Sequence, residues 1–222
     1  MLILGIDTST KLCSVALYDS EKGVLGEINV TVSKNHSHII LPMIDRLFSF
    51  AEKTVEEVER IAVGIGPGSF TGIRVGMAIA KGLAIGKNIS IVGISGLEAL
   101  AGSIQGRGRI FSLLDARKER VYYQVFDGET ALCEAKDGKL KDVLEEYKGE
   151  AINYFIGDGA LAYQNLILES YGEKAVIVSE EHSVTRAIYF AKQAISREGD
   201  NLYTLEPMYV CKSQAEKSKE RV

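Results

Sequence analysis

MLILGIDTSTKLCSVALYDSEKGVLGEINVTV, residues 1–32, is the stretch that decides the predicted fold. It contains three apolar runs, Leu2–Ile6, Leu12–Tyr18 and Val24–Val32, and the connections between them are short and polar. Short apolar runs joined by tight turns are typical of strands that pair with their neighbours along the chain. The opening of the chain therefore predicts an antiparallel meander of three strands.

Strands and helices alternate after this meander. Apolar residues recur three and four positions apart between Ser37 and Ala51, which predicts a helix. The later elements are, in chain order, the strand Ile61–Ile65, the helix Ile73–Ile85, the strand Ile89–Gly93 and the short helix Leu97–Ser103. Gly86 is expected to end the second helix. The order β-β-β-α-β-α-β-α predicts an α/β fold with a mixed sheet of about five strands and helices on its faces.

The second half of the chain is shorter and less regular. The glycine-rich connection Gln105–Gly108 divides the chain into a first domain, residues 1–104, and a smaller second domain, residues 105–222. The second domain opens with a predicted hairpin, Ile110–Leu114 and Val121–Phe126. A helix near residues 184–195 is able to pack back on the first domain. The polar tail, residues 215–222, is expected to be mobile.

Composition and charge exclude several classes of protein. The chain has 222 residues and a formal net charge of −4, and no long stretch is basic. A free-standing nucleic-acid binder would need a dense face of lysine and arginine. Cys13, Cys133 and Cys211 lie far apart and form no CxxC pair, so neither a disulfide framework nor a zinc site is predicted. Without a recognisable targeting or membrane-spanning segment, we expect a cytoplasmic protein that binds no membrane.

Two turns are candidate phosphate sites. The first is Asp7-Thr8-Ser9-Thr10, whose hydroxyls and backbone N–H groups can hold phosphate oxygens, while its carboxylate can hold hydrated Mg²⁺. The residues alone favour a plainer interpretation, a hairpin turn capped by its own side chains. The second is Gly157-Asp158-Gly159, which can take a second phosphate or serve only as a tight turn.

A glycine-rich loop joins a predicted strand to a predicted helix between Gly64 and Gly76. Its glycines permit close backbone approach, and a helix N-terminus attracts anions. No Gly-Lys-Ser or Gly-Lys-Thr closes the loop, so it is not a Walker loop. Gly72, Gly76 and Ala80 also fall on one side of the helix. Close helix packing, including packing between subunits, is therefore a better interpretation than phosphate binding.

Catalytic groups are missing where such a site would need them. No carboxylate or histidine lies between Ile61 and Gly72, where a base for phosphoryl transfer would stand. His36, His38 and His182 form no metal-binding pattern such as His-Glu-x-x-His. We therefore expect neither a catalytic residue nor a metal.

Three segments together resemble the TsaB (YeaZ) family: Leu4–Thr10 (LGIDTST), Gly66–Gly76 (GPGSFTGIRVG) and Asp115–Tyr122 (DARKERVY). The stretch Glu206–Val210 is similar to a Pro-x-Tyr segment near the end of that family, so the resemblance spans nearly the whole chain. It implies the actin-like ATPase fold of sugar kinases and heat-shock ATPases, in which two related domains are hinged over a cleft.

The resemblance also implies a non-catalytic relative of TsaD. TsaD transfers a threonylcarbamoyl group to the adenosine beside the anticodon of tRNAs that read codons starting with A. It carries metal-binding histidines after its fifth strand, whereas the matching stretch here, Gly93–Leu100, keeps only Glu98. The turns 7–10 and 157–159 would then be vestiges of a nucleotide site. No cofactor is implied, and ATP would bind only weakly or in the complex with TsaD and the ATPase TsaE.

Family members pair with themselves or with TsaD through helices of the first domain, here His38–Ala51 and Thr71–Ile85. The implied interface residues are Ile40, Ile44, Leu47, Thr71, Gly72, Arg74, Val75, Gly76, Ile79 and Ala80. The implied partners are TsaD, TsaE and, in isolation, a second copy of the chain. TsaC supplies threonylcarbamoyl-adenylate, and tRNA is reached only through the complex.

Other functions stay open at this point. An active small-molecule kinase of the same fold would need an acid that activates the substrate hydroxyl. A homodimeric scaffold with another partner would need only the paired helices. A metallopeptidase, a description that relatives of TsaD have carried, is disfavoured because no set of metal ligands is present.

Overall fold

The structure, a computed structural model, describes residues 1–32, 36–104, 108–149 and 151–210. The chain divides into two compact units. The first unit contains Met1–Ala99 and Thr185–Met208, and the second contains Leu100–Val184 with residues 209 and 210. Residues 105–107 of the expected linker and the tail 215–222 lie outside the described residues, so the expectations for them stay predictions.

Five strands form the sheet of the first unit: β1 Leu2–Asp7, β2 Leu12–Asp19, β3 Gly23–Thr31, β4 Arg60–Gly66 and β5 Ser90–Ser95. Their order across the sheet is β3-β2-β1-β4-β5. β1, β2 and β3 pair antiparallel, whereas β4 runs parallel to both β1 and β5. The predicted meander and the mixed five-stranded sheet are confirmed.

Seven α-helices lie within the described ranges: α1 His36–Phe50, α2 Phe70–Lys87, α3 Gly96–Ala101, α4 Leu140–Glu146, α5 Asp158–Ala162, α6 Gln164–Tyr171 and α7 Ala187–Gln193. Short 3-10 turns occupy Val55–Glu57, Gly172–Lys174 and Ala194–Ser196. In the part of the chain that is described, no helix combines the length and the apolar character needed to cross a membrane.

The two faces of the first sheet are covered by different helices. Successive residues of a strand point to opposite faces, so Leu4 and Ile6 join one core while Ile3 joins the other. The core around Leu4 also contains the buried faces of α1 and α2. The core around Ile3 contains five consecutive buried residues of α7, Ala187–Ala191. The first sheet is therefore buried on both sides.

α2 is longer than its predicted span at both ends. It begins at Phe70 because the Ser69 side chain accepts a hydrogen bond of 3.2 Å from the N–H of Gly72, which caps the first turn. It continues through Gly86 and stops at Asn88, whose φ of 54° is left-handed. Asparagine tolerates this conformation at helix ends. The prediction that Gly86 ends the helix is therefore wrong.

Six strands form the sheet of the second unit: β6 Arg109–Asp115, β7 Arg120–Asp127, β8 Thr130–Ala131, β9 Lys136–Lys139, β10 Asn153–Ile156 and β11 Ala175–Ile177. The order is β11-β10-β6-β7-β8, and β9 pairs with β7. β6 and β7 form the predicted antiparallel hairpin, while β10 runs parallel to β6 and β11. Phe111 and Phe155 stack with their ring centroids 4.6 Å apart in its core.

The C-terminal segment returns to the first unit. The N–H of Ala187 donates to Ser14 Oγ at 2.7 Å, and Arg186 Nε donates to Glu27 Oε2 at 3.0 Å. α7 thus covers a sheet face that would otherwise expose apolar residues such as Ala62. The expected packing of a helix near residues 184–195 on the first domain agrees with this arrangement. The division at residue 104 differs from it, because residues 185–208 belong to the first unit and the first boundary lies at Ala99.

Candidate functional site

The turn between β1 and β2 is closed from solvent. Asp7 is fully buried, and Thr8 and Ser9 are each 1% exposed. Asp7 Oδ1 accepts a hydrogen bond of 3.0 Å from the N–H of Ser9, which is how a side chain caps its own turn. Thr10 Oγ1 lies 3.2 Å from Thr185 Oγ1, at the start of the returning C-terminal segment. Asp7, Thr8 and Ser9, three of the four residues expected to hold phosphate or Mg²⁺, are therefore buried, whereas Thr10 is half-buried.

The Asp7 carboxyl is held in an unusual environment. Burial raises its pKa above the ordinary value, although the nearby Thr185 and Ser9 hydroxyls and the Ser9 N–H oppose this rise. Within the described ranges, Oδ2 of Asp7 and Oγ of Ser9 have no hydrogen-bond partner of good geometry. A buried carboxyl with incomplete hydrogen bonding favours its neutral form. The buried Asp7 carboxyl is therefore less suited to holding hydrated Mg²⁺ than an exposed carboxylate.

The loop before α2 packs directly onto this turn. The N–H of Ser69 donates to the backbone oxygen of Ser9 at 2.6 Å, and Thr8 Oγ1 donates to the backbone oxygen of Gly72 at 2.7 Å. A Cβ added to Gly68 would overlap the backbone oxygen of Ser9, and one added to Gly72 would overlap that of Thr8. These glycines are needed for the close approach of two backbone segments in the same unit.

Two residues that close the turn were not predicted to contact it. A Cβ on Gly64 would overlap Asp7 Oδ1, so only glycine fits at this point of β4. A glycine inside a buried strand marks such an approach, and that signal was present. Thr185 lies 175 residues from its partner Thr10 and carries no local signal. Only the three-dimensional fold could place it here.

The second candidate turn is also engaged within its own unit. Gly157 has a φ of +109°, and a Cβ there would overlap the backbone oxygen of Leu113. A Cβ on Gly159 would lie 3.0 Å from the same oxygen, which is tighter than an ordinary contact. Asp158 Oδ1 accepts a hydrogen bond of 2.9 Å from the N–H of Asp115. The glycines let the turn pack against β6, and the carboxylate caps the end of that strand.

The residues expected at a partner interface divide into two groups. Six are buried inside the first unit: Ile40, Ile44, Leu47, Gly72, Gly76 and Ala80. Placing these six on an exposed face is wrong, because the apolar stripe of α1 fills the core and the small residues of α2 let it lie against the turn after β1. The other four reach the surface: Thr71 and Arg74 are exposed, and Val75 and Ile79 are half-buried.

The outer side of α1 carries an apolar groove, which we call the α1 groove. It encloses about 380 Å³ and is lined by Ile28, His38, Ile39, Pro42, Met43, Arg46 and Phe50. Phe50 is 75% exposed. On α2, the Arg74 guanidinium lies 3.8 Å from the centre of the Phe70 ring, another partly exposed aromatic side chain. Large exposed apolar surface is typical of interaction sites.

The histidines and Glu98 do not come together as metal ligands. The described ranges contain no group of three or more histidine, cysteine or carboxylate side chains that could hold a metal ion. His38 lines the α1 groove, and His182 Nδ1 lies 3.2 Å from Ser179 Oγ. Glu98 forms an ion pair of 2.9 Å with Arg197. The side chain of His36 lies outside the described part of the molecule.

Solved structures define the class of protein to which this architecture belongs. The activator of 2-hydroxyisocaproyl-CoA dehydratase from Clostridium difficile, solved with bound ADPNP, gives a TM-score of 0.53 at 8% identity, covering 87% of this chain and 96% of that one. The ROK hexokinase from Thermus thermophilus gives 0.52 at 13%, covering 88% and 100%. At these identities the likeness concerns the fold alone. It confirms the actin-like ATPase and kinase fold.

Closer relatives identify the family within this class. The family model for TsaD, tRNA N6-adenosine threonylcarbamoyltransferase, matches residues 13–211. TsaB from Escherichia coli is 33% identical over 181 residues, 77% of each chain, and TsaB from Bacillus subtilis is 31% identical over 224 residues, 97% of this chain and 96% of that one. YeaZ from Pseudomonas aeruginosa gives a TM-score of 0.76 at 26% identity, covering 94% and 99%. The chain belongs to the TsaB (YeaZ) family of tRNA threonylcarbamoyladenosine biosynthesis proteins.

Proposed function

We propose that the chain works in tRNA threonylcarbamoyladenosine biosynthesis as a non-catalytic partner of TsaD. The observation that carries this proposal is the closed turn at Asp7. Phosphoryl transfer in this fold needs open donors for phosphate oxygens and a charged group for the metal. Here the N–H of Ser9 is bound to Asp7, the hydroxyl of Thr8 is bound to Gly72, and the carboxyl of Asp7 is buried.

The expectation that the isolated chain binds ATP only weakly follows from the same geometry. Asp158 Oδ1 accepts a hydrogen bond at the end of β6 instead of facing a ligand. The glycines beside it allow the turn to pack closely. The isolated chain is therefore proposed to need neither metal nor cofactor. ATP would bind only weakly, or in the complex with TsaD and TsaE. An active kinase of the same fold becomes the weaker alternative, because Asp7, Thr8 and Ser9 of the first turn are buried and Asp158 of the second accepts a hydrogen bond from the N–H of Asp115.

The partner surface is proposed to be the α1 groove and the exposed start of α2. Phe50 offers a large apolar side chain on α1, and Arg74 with Phe70 extends the surface on α2. Exposed aromatic and arginine side chains are the residue types that dominate binding energy at interfaces. TsaD would occupy this surface in the working complex, and a second copy of the chain in isolation. TsaE would join the pair in the cytoplasm, and tRNA would be reached through the complex.

The test is a binding and activity measurement with purified TsaD. The variant Phe50→Ala removes the exposed ring from the α1 groove, and Tyr203→Ala removes an equally exposed ring, 82% accessible, that does not line it. We expect Phe50→Ala to weaken pairing with TsaD by roughly tenfold or more, as loss of an aromatic hot spot does. Tyr203→Ala should pair normally. Threonylcarbamoyl transfer to tRNA should fall with pairing.

Two outcomes would contradict the proposal. The first is full tRNA modification by TsaD without this chain. The second is ATP-dependent phosphorylation of a small molecule by the chain alone. A chain that dimerises through the α1 groove but never captures TsaD would favour the homodimeric scaffold with another partner, for which the same groove is the supporting observation.

A further inference from the structure

The hairpin between β6 and β7 ends in an unusual backbone turn. Arg117, Lys118 and Glu119 have φ angles of +65°, +55° and +57°. The left-handed region is unfavourable for residues with a Cβ, and it is normally visited by single residues such as glycine or asparagine. Three consecutive non-glycine residues in this region are therefore strained. Strain of this kind persists only when the surroundings impose it, and it is concentrated at functional positions.

A hydrogen-bond network imposes this conformation. Asp115 Oδ1 accepts hydrogen bonds from the N–H of Arg117 at 2.7 Å and from the hydroxyl of Tyr163 at 2.8 Å. The same hydroxyl accepts one of 3.2 Å from the N–H of Glu119. Asp158 fixes the N–H of Asp115 in turn. Two carboxylates and one tyrosine hydroxyl thus determine the backbone on both sides of the turn.

The turn presents cations to solvent. Arg117 and Lys118 are exposed at its tip, and neither side chain forms an ion pair within the described ranges. The start of α4 lies beside the turn, because the N–H of Leu140 donates to the backbone oxygen of Glu119 at 2.9 Å. It adds Lys139 and Lys141, two more exposed lysines without an ion pair among the residues described. We call these four side chains the basic turn.

Some of the carboxylates around the basic turn already have partners. Asp115 is bound as described above, and Asp137 pairs with Arg120 at 3.0 Å. The exposed carboxylates of Glu119 and Asp142 are left to offset the positive charge of the four cations. The basic turn also stands at the end of β6, beside the end of β10, which runs parallel to it. The carboxyl ends of parallel strands are where α/β sheets bind their ligands.

We propose that the basic turn binds the phosphodiester backbone of the tRNA substrate while the chain is assembled with TsaD, so this inference rests on the proposed function. The four cations of the basic turn are spread over two elements. This spacing suits a polymer that carries one negative charge per nucleotide. The hydrogen bonds to Asp115 and Tyr163 fix the backbone from which Arg117 and Lys118 project, so the main chain of the turn does not have to become ordered on binding. An acidic protein surface is the competing occupant, and the experiment separates the two.

The main experiment measures the salt dependence of tRNA binding. The assembly of the full chain with TsaD is titrated with an unmodified tRNA that reads a codon starting with A, at several salt concentrations. In Arg117→Ala, the slope of log affinity against log salt should become shallower by about 0.7–0.9 for each phosphate that is no longer neutralised. The control is Lys148→Ala, which removes an exposed lysine at the opposite end of β6, next to Tyr147, whose backbone oxygen accepts a hydrogen bond from Arg109. Its slope should equal that of the wild type.

A second variant separates function from stability. Glycine adopts left-handed backbone without strain, so Lys118→Gly relieves the turn while removing one cation. We expect this variant to melt at a higher temperature than the wild type and to bind the tRNA several-fold more weakly. A residue that served folding alone could not give both changes at once. Pairing with TsaD, measured separately, should stay normal in both variants.

The inference is overturned by either of two results. One is an unchanged salt slope in Arg117→Ala and Lys118→Gly. The other is failure of these variants to pair with TsaD, which would assign the basic turn to a protein partner. A wild-type chain that does not pair with TsaD at all would instead refute the proposed function. That failure is visible before any tRNA is added.

Discussion

Asp7 illustrates how far a single residue can be understood from its sequence. An Asp-Thr-Ser turn at a strand end is compatible with a metal ligand and with a capped hairpin, and the local pattern favoured the cap. The hydrogen bond from the Ser9 N–H agrees with that interpretation. The complete burial of Asp7 was not predictable, because the groups that cover the turn, Gly72 and Thr185, come from distant parts of the chain.

Burial of Asp7 has a consequence for the pH dependence of stability. Its raised pKa means that the folded protein keeps a proton above about pH 4, where an unfolded aspartate has released it. The free energy of unfolding contributed by this group therefore falls as pH rises from about 4 towards the folded pKa. In Asp7→Asn this decline is absent. We expect the stability of Asp7→Asn relative to wild type to increase as pH rises above about 4, measured by urea denaturation.

Asp19 offers a control of opposite sign for this experiment. Backbone N–H groups of Lys22 and Glu21 lower the pKa of its carboxyl, so its contribution is present at neutral pH and is lost on acidification. Asp19→Asn should therefore lose stability relative to wild type as pH rises from about 3 to 6. Parallel pH profiles for the two variants would contradict the assignment of a raised pKa to Asp7.

Helix α2 shows the limit of prediction for an element. The spacing of Gly72, Gly76 and Ala80 correctly placed three small residues on one side of a helix. Spacing does not reveal whether a small-residue side meets a partner chain or the chain's own sheet. The structure resolves the choice, because a Cβ on Gly76 would overlap Thr8 Oγ1 and Ala80 is fully buried. The same ambiguity misassigned the apolar stripe of α1.

Two glycines of α2 provide a matched test of this packing. A Cβ at Gly76 meets Thr8, whereas a Cβ at Gly82 meets nothing within 4 Å. Gly76→Ala should lower the free energy of unfolding by about 1–3 kcal/mol through overpacking. Gly82→Ala should raise it by about 0.5–1 kcal/mol, because alanine is the better helix former. Thermal and urea denaturation of dilute protein measure both, and equal effects of the two substitutions would show that packing at Thr8 is loose.

At the scale of the whole molecule, the order of strands and helices predicted the fold, but it did not predict which unit each C-terminal element belongs to. The alternation of strands and helices up to residue 103 gave the mixed sheet, because each element carries its own periodicity. The sequence allowed, but did not fix, the packing of α7 on the first unit. Its run Ala187–Ala191 is buried throughout and shows no polar side. A run of this kind indicates that the helix is buried, but it does not indicate against which sheet the helix packs.

The behaviour of the isolated protein towards ATP tests the whole assignment. With both candidate turns engaged internally, we expect no turnover of Mg-ATP by the chain alone and no saturable heat of binding in isothermal titration. TsaD with TsaE under the same conditions is the positive control. ATP turnover that disappears in Asp7→Ala would contradict the proposal and revive the kinase alternative.

The return of Thr185–Met208 to the first unit also bears on how the protein is made. Ribosomes add about 5–20 residues per second, and domains commonly fold as they emerge. The first sheet here must wait for roughly a hundred further residues after Ala99, or about 5–20 s, before α7 can cover its second face. During that interval its apolar residues stay uncovered on the nascent chain, which is the situation in which chaperones bind. The continuous stretch Leu100–Val184, which makes up most of the second unit, is synthesised before the segment that completes the first sheet, so it can fold while that sheet is still uncovered on one face.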